Sequence, residues 1–219
     1  NDAPMEFIAQ IQLAEAHPYD AAHLLPDQGL LSFFYDAAQE TYGADPHDKA
    51  GLKVLFLTQE ASSLQRTELP PLLPAEARSR VCSVGFSQEL TTTLQPNLEV
   101  VTLKWSDDDQ EKYDDALQKL MRGSQHPIHR MLGFPDTIQD DMRLECQLAA
   151  NGIADPASAP EQVSKLAAGA NDWLLLLQVD SDESVGMRWA NAGMLYFWIR
   201  RDDLANQRFE HVWVVLQSE

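Results

Sequence analysis

Gly29-Leu30-Leu31-Ser32-Phe33-Phe34 and Gly193-Met194-Leu195-Tyr196-Phe197-Trp198 decide how this chain folds. The two stretches align without a gap, each opening on glycine and running on through apolar and aromatic residues suited to a pleated surface. Upstream of each lies a strand-like segment carrying a glutamine. Phe7-Ile8-Ala9-Gln10-Ile11-Gln12-Leu13 alternates after Ile8, with Ala9, Ile11 and Leu13 on one side and Gln10 and Gln12 on the other. Trp173-Leu174-Leu175-Leu176-Leu177-Gln178-Val179-Asp180 is a continuous apolar run that ends Gln-x-acid. Downstream of each comes a short apolar segment, Lys53-Val54-Leu55-Phe56-Leu57 and His211-Val212-Trp213-Val214-Val215-Leu216. Gln10 and Gly29 stand 19 residues apart, and Gln178 and Gly193 stand 15 apart. The order implies an internally duplicated three-strand unit, although any two strand pairs entered through glycine would share part of it.

The expected architecture is therefore α+β: one domain over 1–219, built from two related halves at about 1–105 and 106–219. Mainly antiparallel strands pack with a few helices around a core shared across a pseudo-twofold axis. Between the halves, Ser106-Asp107-Asp108-Asp109 predicts a helix start, an N-cap with an acid at N3 and acids in the first turn where the helix dipole favours them. Tyr113, Ala116, Leu117, Leu120 and Met121 supply one apolar stripe, and Gly123 sits where the helix should stop. A second helix is expected over 160–168. The stretch 78–90 leans towards strand because Val84 and Phe86 alternate with polar neighbours. The expected core comprises Ile8, Ile11, Leu31, Phe33, Leu55, Leu117, Leu120, Leu175, Leu177, Leu195, Phe197, Trp213 and Val215.

Composition narrows the function classes. The 219 residues carry 16 Lys+Arg against 34 Asp+Glu, a net charge of −18, with 44% hydrophobic and 23% charged residues. This is an ordinary globular balance, but its negative field repels phosphate, so neither nucleic acid nor an anionic membrane is expected as a partner. No apolar run approaches the ~20 residues of a membrane-spanning helix. Cys82 and Cys146 match no zinc pattern and cannot build a disulfide framework, which fits a reducing cytoplasm. Asn1 is not an initiator methionine, so a longer polypeptide is expected to begin upstream.

Candidate chemistry concentrates in two places. Asp180-Ser181-Asp182-Glu183-Ser184 opens like a calcium loop, with Asp180, Asp182 and Ser184 at positions 1, 3 and 5, and as the densest carboxylate cluster outside a helix it makes Asp180, Asp182 and Glu183 the candidate metal ligands. The pattern then breaks, because Val185 and Asn191 stand where glycine and glutamate belong; a solvated acidic turn is the competing reading. His126-Pro127-Ile128-His129-Arg130 gathers two imidazoles and a guanidinium, and with Trp189, beside a polar loop and expected to be partly exposed, makes His129, Arg130 and Trp189 the candidate ligand-binding residues. No nucleophile motif, phosphate-binding glycine loop or dinucleotide fingerprint occurs, so no catalytic residue and no cofactor is expected.

Four ordered segments also resemble a known family. They are Phe7-Ile8-Ala9-Gln10-Ile11, Gly29 to Tyr35, His129-Arg130-Met131-Leu132-Gly133-Phe134-Pro135-Asp136-Thr137-Ile138-Gln139, and Trp173 to Asp182 followed by Met187 to Phe197. Together they look like the YwqG-like family of uncharacterised bacterial proteins, over nearly the whole chain. The resemblance implies a duplicated α+β fold, a further stretch before the Phe-x-x-Gln segment, and some relatives that belong to toxin–immunity neighbourhoods. Where that family tends to read Trp-Gly-Asp-x-Gly, this chain has Trp189-Ala190-Asn191-Ala192-Gly193, so any role for that acid is lost here.

The leading expectation is thus a non-enzymatic, acidic protein-interaction or immunity-type module with a basic protein partner. The alternatives are a small-ligand or metal-binding protein and, behind that, a hydrolase combining His129, Asp180 and Asp182.

Overall fold

The computed structural model describes residues 4–59, 61–92, 106–121 and 127–219, with only the main chain at 61 and 117–121. Strands β1 (Met5–Gln12), β2 (Leu30–Asp36) and β3 (Leu52–Leu57) form one antiparallel sheet in that order. Strands β4 (Trp173–Asp180), β5 (Met194–Arg200) and β6 (Trp213–Gln217) form the other. The sheets share one register. Gln10 faces Ser32 as Gln178 faces Tyr196, and Phe33 faces Val54 as Phe197 faces Val214. Both first strands are bulged at the same place, with Ile8 and Leu176 as the extra residues, and each bulge turns its strand locally. Even the strand exits match: Leu13 N–H donates to Gly29 O (2.9 Å) and Ser181 N–H to Gly193 O (3.2 Å). This equivalence is what a duplicated unit requires.

The bulges set which side chains point inward. Ile8 and Ile11 both reach the core with Leu31, Phe33, Tyr35 and Val54, and across from them stand Leu176, Leu177, Val179, Leu195, Phe197 and Val214. Phe33 and Phe197, the same position in the two halves, meet edge to face at 5.2 Å between ring centroids, which places them near the pseudo-twofold axis. The β2–β3 connection clasps the second half: Tyr42 O accepts from Leu216 N–H (3.1 Å), Gly43 O accepts from the Trp213 indole (2.8 Å), and Lys49 Nζ donates to Val212 O (2.7 Å). Gly43, at φ +102°, allows no side chain there, since a Cβ would lie 2.4 Å from Val214 O.

Beyond this core the halves part. Helix α1 (Leu13–Ala16) follows β1, α2 spans Asp107–Met121, and α3 (Arg143–Ala149) packs on the outer face of the second sheet. There Met142, Cys146 and Ala149 cover Leu175, Tyr196, Trp198, Trp213 and Val215. The equivalent outer face of the first sheet carries Phe7, Phe34, Lys53 and Leu55, with Phe7 41% and Leu55 37% exposed. Leu55 is therefore not a core residue as expected: its run is apolar throughout, but strand alternation sends Leu55 outward with Ser32.

Helix α4 (Pro160–Leu166) and the short α5 (Arg201–Ala205) complete the α-helices among the described residues. The α2 start is a capping box built with Asp: Ser106 Oγ accepts from Asp109 N–H (3.2 Å), while Asp109 Oδ2 accepts from the Ser106 hydroxyl (2.7 Å) and N–H (3.3 Å). The first ten residues of α2 are exposed apart from half-buried Tyr113. The side chains of Leu117, Leu120 and Met121, together with Gly123 and His126, lie outside the described residues. The 78–90 stretch is not a strand. It pairs with no neighbouring strand and leaves Val84 55% exposed, because alternation without a ladder partner does not make a sheet.

Candidate functional site

All the candidate residues except Glu183 lie at or beside the outer edge of β4. Arg130 and Gln178 exchange main-chain hydrogen bonds (3.1 and 2.7 Å), so a short segment lies along β4 as a partial fourth strand. The Gln178 side chain, fully buried, secures it. Its Nε2 donates to Ile128 O (3.1 Å) and Asp136 Oδ2 (3.0 Å), and its Oε1 accepts from Asp136 N–H (2.8 Å). The Arg130 guanidinium pairs with Asp136 and Glu89 and donates to Phe134 O (3.0 Å). Tyr196 donates its hydroxyl to Asp136 O (2.6 Å), and burial beside that carboxylate pushes the phenol well above its usual range.

His129, Asp180, Asp182 and Trp189 join the same lattice. The Asp180 carboxylate accepts from Ile128 N–H (2.9 Å), and Asp180 N–H donates to His129 Nδ1 (3.2 Å). His129 Nε2 then faces Asp182 Oδ2 at 3.8 Å. The Asp182 carboxyl also caps Ser184, whose hydrogen bonding holds it below the ordinary carboxylate range. Trp189 is fully buried rather than partly exposed: its indole donates to Asp180 O (3.1 Å), its ring meets Tyr35 edge to face, and its polar sequence neighbours turn outward. Glu183 stands exposed at the tip of a tight hairpin closed by Asp182 and Met187, with Gly186 at φ +84° making the turn. Among the described residues no group of three or more His, Cys, Asp or Glu side chains is placed to hold a metal ion.

Asp136, Glu89 and Tyr196 belong to this lattice; sequence reading gave Asp136 and Glu89 no role in a site and took Tyr196 for a core aromatic. The repeated glutamine at Gln10 and Gln178 is the signal that could have pointed there. Alongside runs a cleft of about 1500 Å³. It follows β1 from Phe7 to Gln12 without interruption and reaches Leu174 of β4, with Tyr19 and Phe86 forming another wall and His129, Arg130 and Asp182 on the rim.

The family model described as Domain of unknown function (DUF1963) matches residues 1–218. The chain belongs to the DUF1963 family. No curated protein matches it. In this DUF1963 domain, Ala190 adopts φ +43° and Ala192 φ +49°, conformations a side chain disfavours. The Ala190 N–H donates to the Gln39 side chain across the halves (2.9 Å). Among the described residues no helix is long and apolar enough to cross a membrane.

Proposed function

We propose that this DUF1963 domain, of the YwqG-like type, is a non-enzymatic, immunity-type interaction module that binds a basic protein partner. The observation that carries this reading is how the chain places its opposite charges. Much of its positive charge is spent internally. Lys49, Arg78 and Arg80 donate to main-chain carbonyls, Arg200 donates to the Gln147 amide, and Arg130, Arg143 and Arg208 pair with Asp136, Asp141 and Asp203. Many carboxylates stay on the surface, among them Glu15, Asp27, Glu68, Glu76, Glu111, Asp172 and Glu183. A surplus of 18 negative charges so arranged steers a basic partner to the surface and speeds the encounter.

The imidazole at the site supports the same reading. A general base needs a ring nitrogen free to take a proton from a nucleophile. His129 uses Nδ1 to accept a main-chain N–H and turns Nε2 towards Asp182, while the nearby Ser181 hydroxyl donates to Gly193 O (2.8 Å). The cleft also exceeds the roughly 300–1,000 Å³ typical of small-molecule pockets, which suits a polypeptide better. Basic proteins encoded beside its gene, mixed with the chain at low and high salt, test the proposal. Binding whose association rate falls with salt is expected; tight binding indifferent to salt contradicts it.

A further inference from the structure

We propose that the outer edge of β1, unpaired at Gln10 among the described residues, is a docking site for an extended segment of the partner, carrying apolar and basic residues, which joins the first sheet as an antiparallel strand. This rests on the interaction reading above and names its site.

The argument comes from the occupied copy of the same edge. In the second half, Gln178 turns both its N–H and its C=O away from β5 and gives them to Arg130. Gln10 faces Ser32 in the register in which Gln178 faces Tyr196, so the main-chain groups of Gln10 also turn outward. No described residue bonds them, and the Gln10 side chain donates only sideways, to Ser32 Oγ (3.0 Å). The other edges of the second sheet are met, β4 by Arg130 and β6 by Tyr42. An open edge is a pairing template that folds otherwise cover, and strand addition is a standard way to use one.

The cleft supplies the room and the chemistry. It follows β1 along six consecutive residues, Phe7 to Gln12, with Tyr19, Leu24 and Phe86 as apolar walls. Glu15 is exposed on its border, whereas Glu89, also exposed there, already pairs with Arg130. The segment seated on β4 shows what such an edge accepts: Met131 and Leu132 pack against the core while the charge of Arg130 goes to carboxylates. An occupant of the same character therefore suits β1, with basic side chains drawn by the surface acids.

A labelled peptide copying residues 127–134 of this chain is the probe, titrated into the intact protein. Saturable binding is expected, accompanied by a shift of the Gln10 amide resonance. Gln10→Pro removes the outward N–H without breaking a β1–β2 hydrogen bond, since proline is tolerated on a strand edge. It should weaken binding about tenfold. A peptide N-methylated at its arginine should lose the same factor while leaving the protein untouched, so misfolding of the variant cannot mimic the result. Equal binding by Gln10→Pro, or by the methylated peptide, overturns the proposal. So does a chain dimer that Gln10→Pro dissolves, which would assign the edge to a second copy. If the peptide fails while salt-sensitive capture of basic proteins persists, the β1 assignment falls and the interaction reading stands; if both fail, both fall.

Discussion

The first and second sheets carry the same strands in the same register, with the same bulge, yet they stand in different surroundings. The second is covered on its outer face by α3 and met at one point on each edge, by Arg130 on β4 and Tyr42 on β6. The first leaves Phe7 and Leu55 partly exposed on its outer face, and among the described residues no strand pairs with β1 along the cleft. Corresponding positions record the divergence. Ser32, Phe34, Lys53 and Leu55 occupy the places of Tyr196, Trp198, Trp213 and Val215. Duplication preserved the hydrogen-bond ladder and the inward faces, where each half depends on the other. It released the outer faces, so one half became scaffold and the other kept an unsatisfied edge.

The largest effect should come from the outer faces. Trp198→Ala, beneath α3, is expected to cost about 3–5 kcal/mol in denaturant unfolding, and Phe34→Ala at the same position of the first sheet much less. Equal losses would mean that the first outer face is covered as the second is. Next come the two glycines that open β2 and β5, which serve different needs. Gly29 sits at φ +113° with its Cβ position 2.4 Å from the Phe56 ring, a side chain, whereas a Cβ on Gly193 would stand 2.5 Å from Gln217 O and 2.7 Å from Trp189 O, both backbone. Gly193→Ala should therefore cost roughly 1–3 kcal/mol by crowding backbone that cannot swing aside, a loss readable as a lower urea midpoint.

A third contrast sets Glu6 against Leu174, which hold the same place in β1 and β4. Burial raises the Glu6 carboxyl above its ordinary value, opposed by the hydrogen bond from Ser79 (3.0 Å). A folded-state value above the unfolded one means that Glu6 weakens the fold once ionised, and this penalty disappears as the pH falls below about 4. Glu6→Gln should thus raise Tm at pH 7 by about 2–4 °C, with the gain gone near pH 4. A gain that persists at pH 4 would show that ionisation is not its source. The smallest effect concerns Ala190: glycine there should relieve the left-handed strain and add about 0.5–1 kcal/mol, and a loss in thermal unfolding would mean that Ala190 is not strained.

Much of this arrangement was legible in the sequence. Gly29 and Gly193 aligned the halves because strand alternation leaves a pattern that survives duplication, and the Ser106 cap announced α2 because capping is local chemistry. The bulges at Ile8 and Leu176 left no such mark, since one extra residue in a ladder becomes visible only against its partner strand. Leu55 and Trp189 were misplaced for related reasons. A continuous apolar run does not reveal whether a helix covers its outer face, and a tryptophan beside a polar loop looks exposed until a carbonyl 9 residues away accepts its indole N–H. His129, Asp180 and Asp182 were joined only in the hydrolase alternative, and Arg130 was set apart with His129 and Trp189. Their connections to Gln178 and Asp136 were not readable, because a buried amide satisfying main chain 42 and 50 residues distant follows from tertiary packing alone.

Amide hydrogen exchange at two glutamines probes the asymmetry most directly. Gln178 N–H, bonded to Arg130 O at 2.7 Å within the buried lattice, should exchange slowly, at a rate set by unfolding of the second sheet. Gln10 N–H, at the same register position with no described partner, should exchange orders of magnitude faster in the same sample, and should slow when a strand-forming peptide is added. Protection of Gln10 equal to that of Gln178 in the free protein would show that the β1 edge is already paired, and would contradict the division of the molecule into a covered half and an open one.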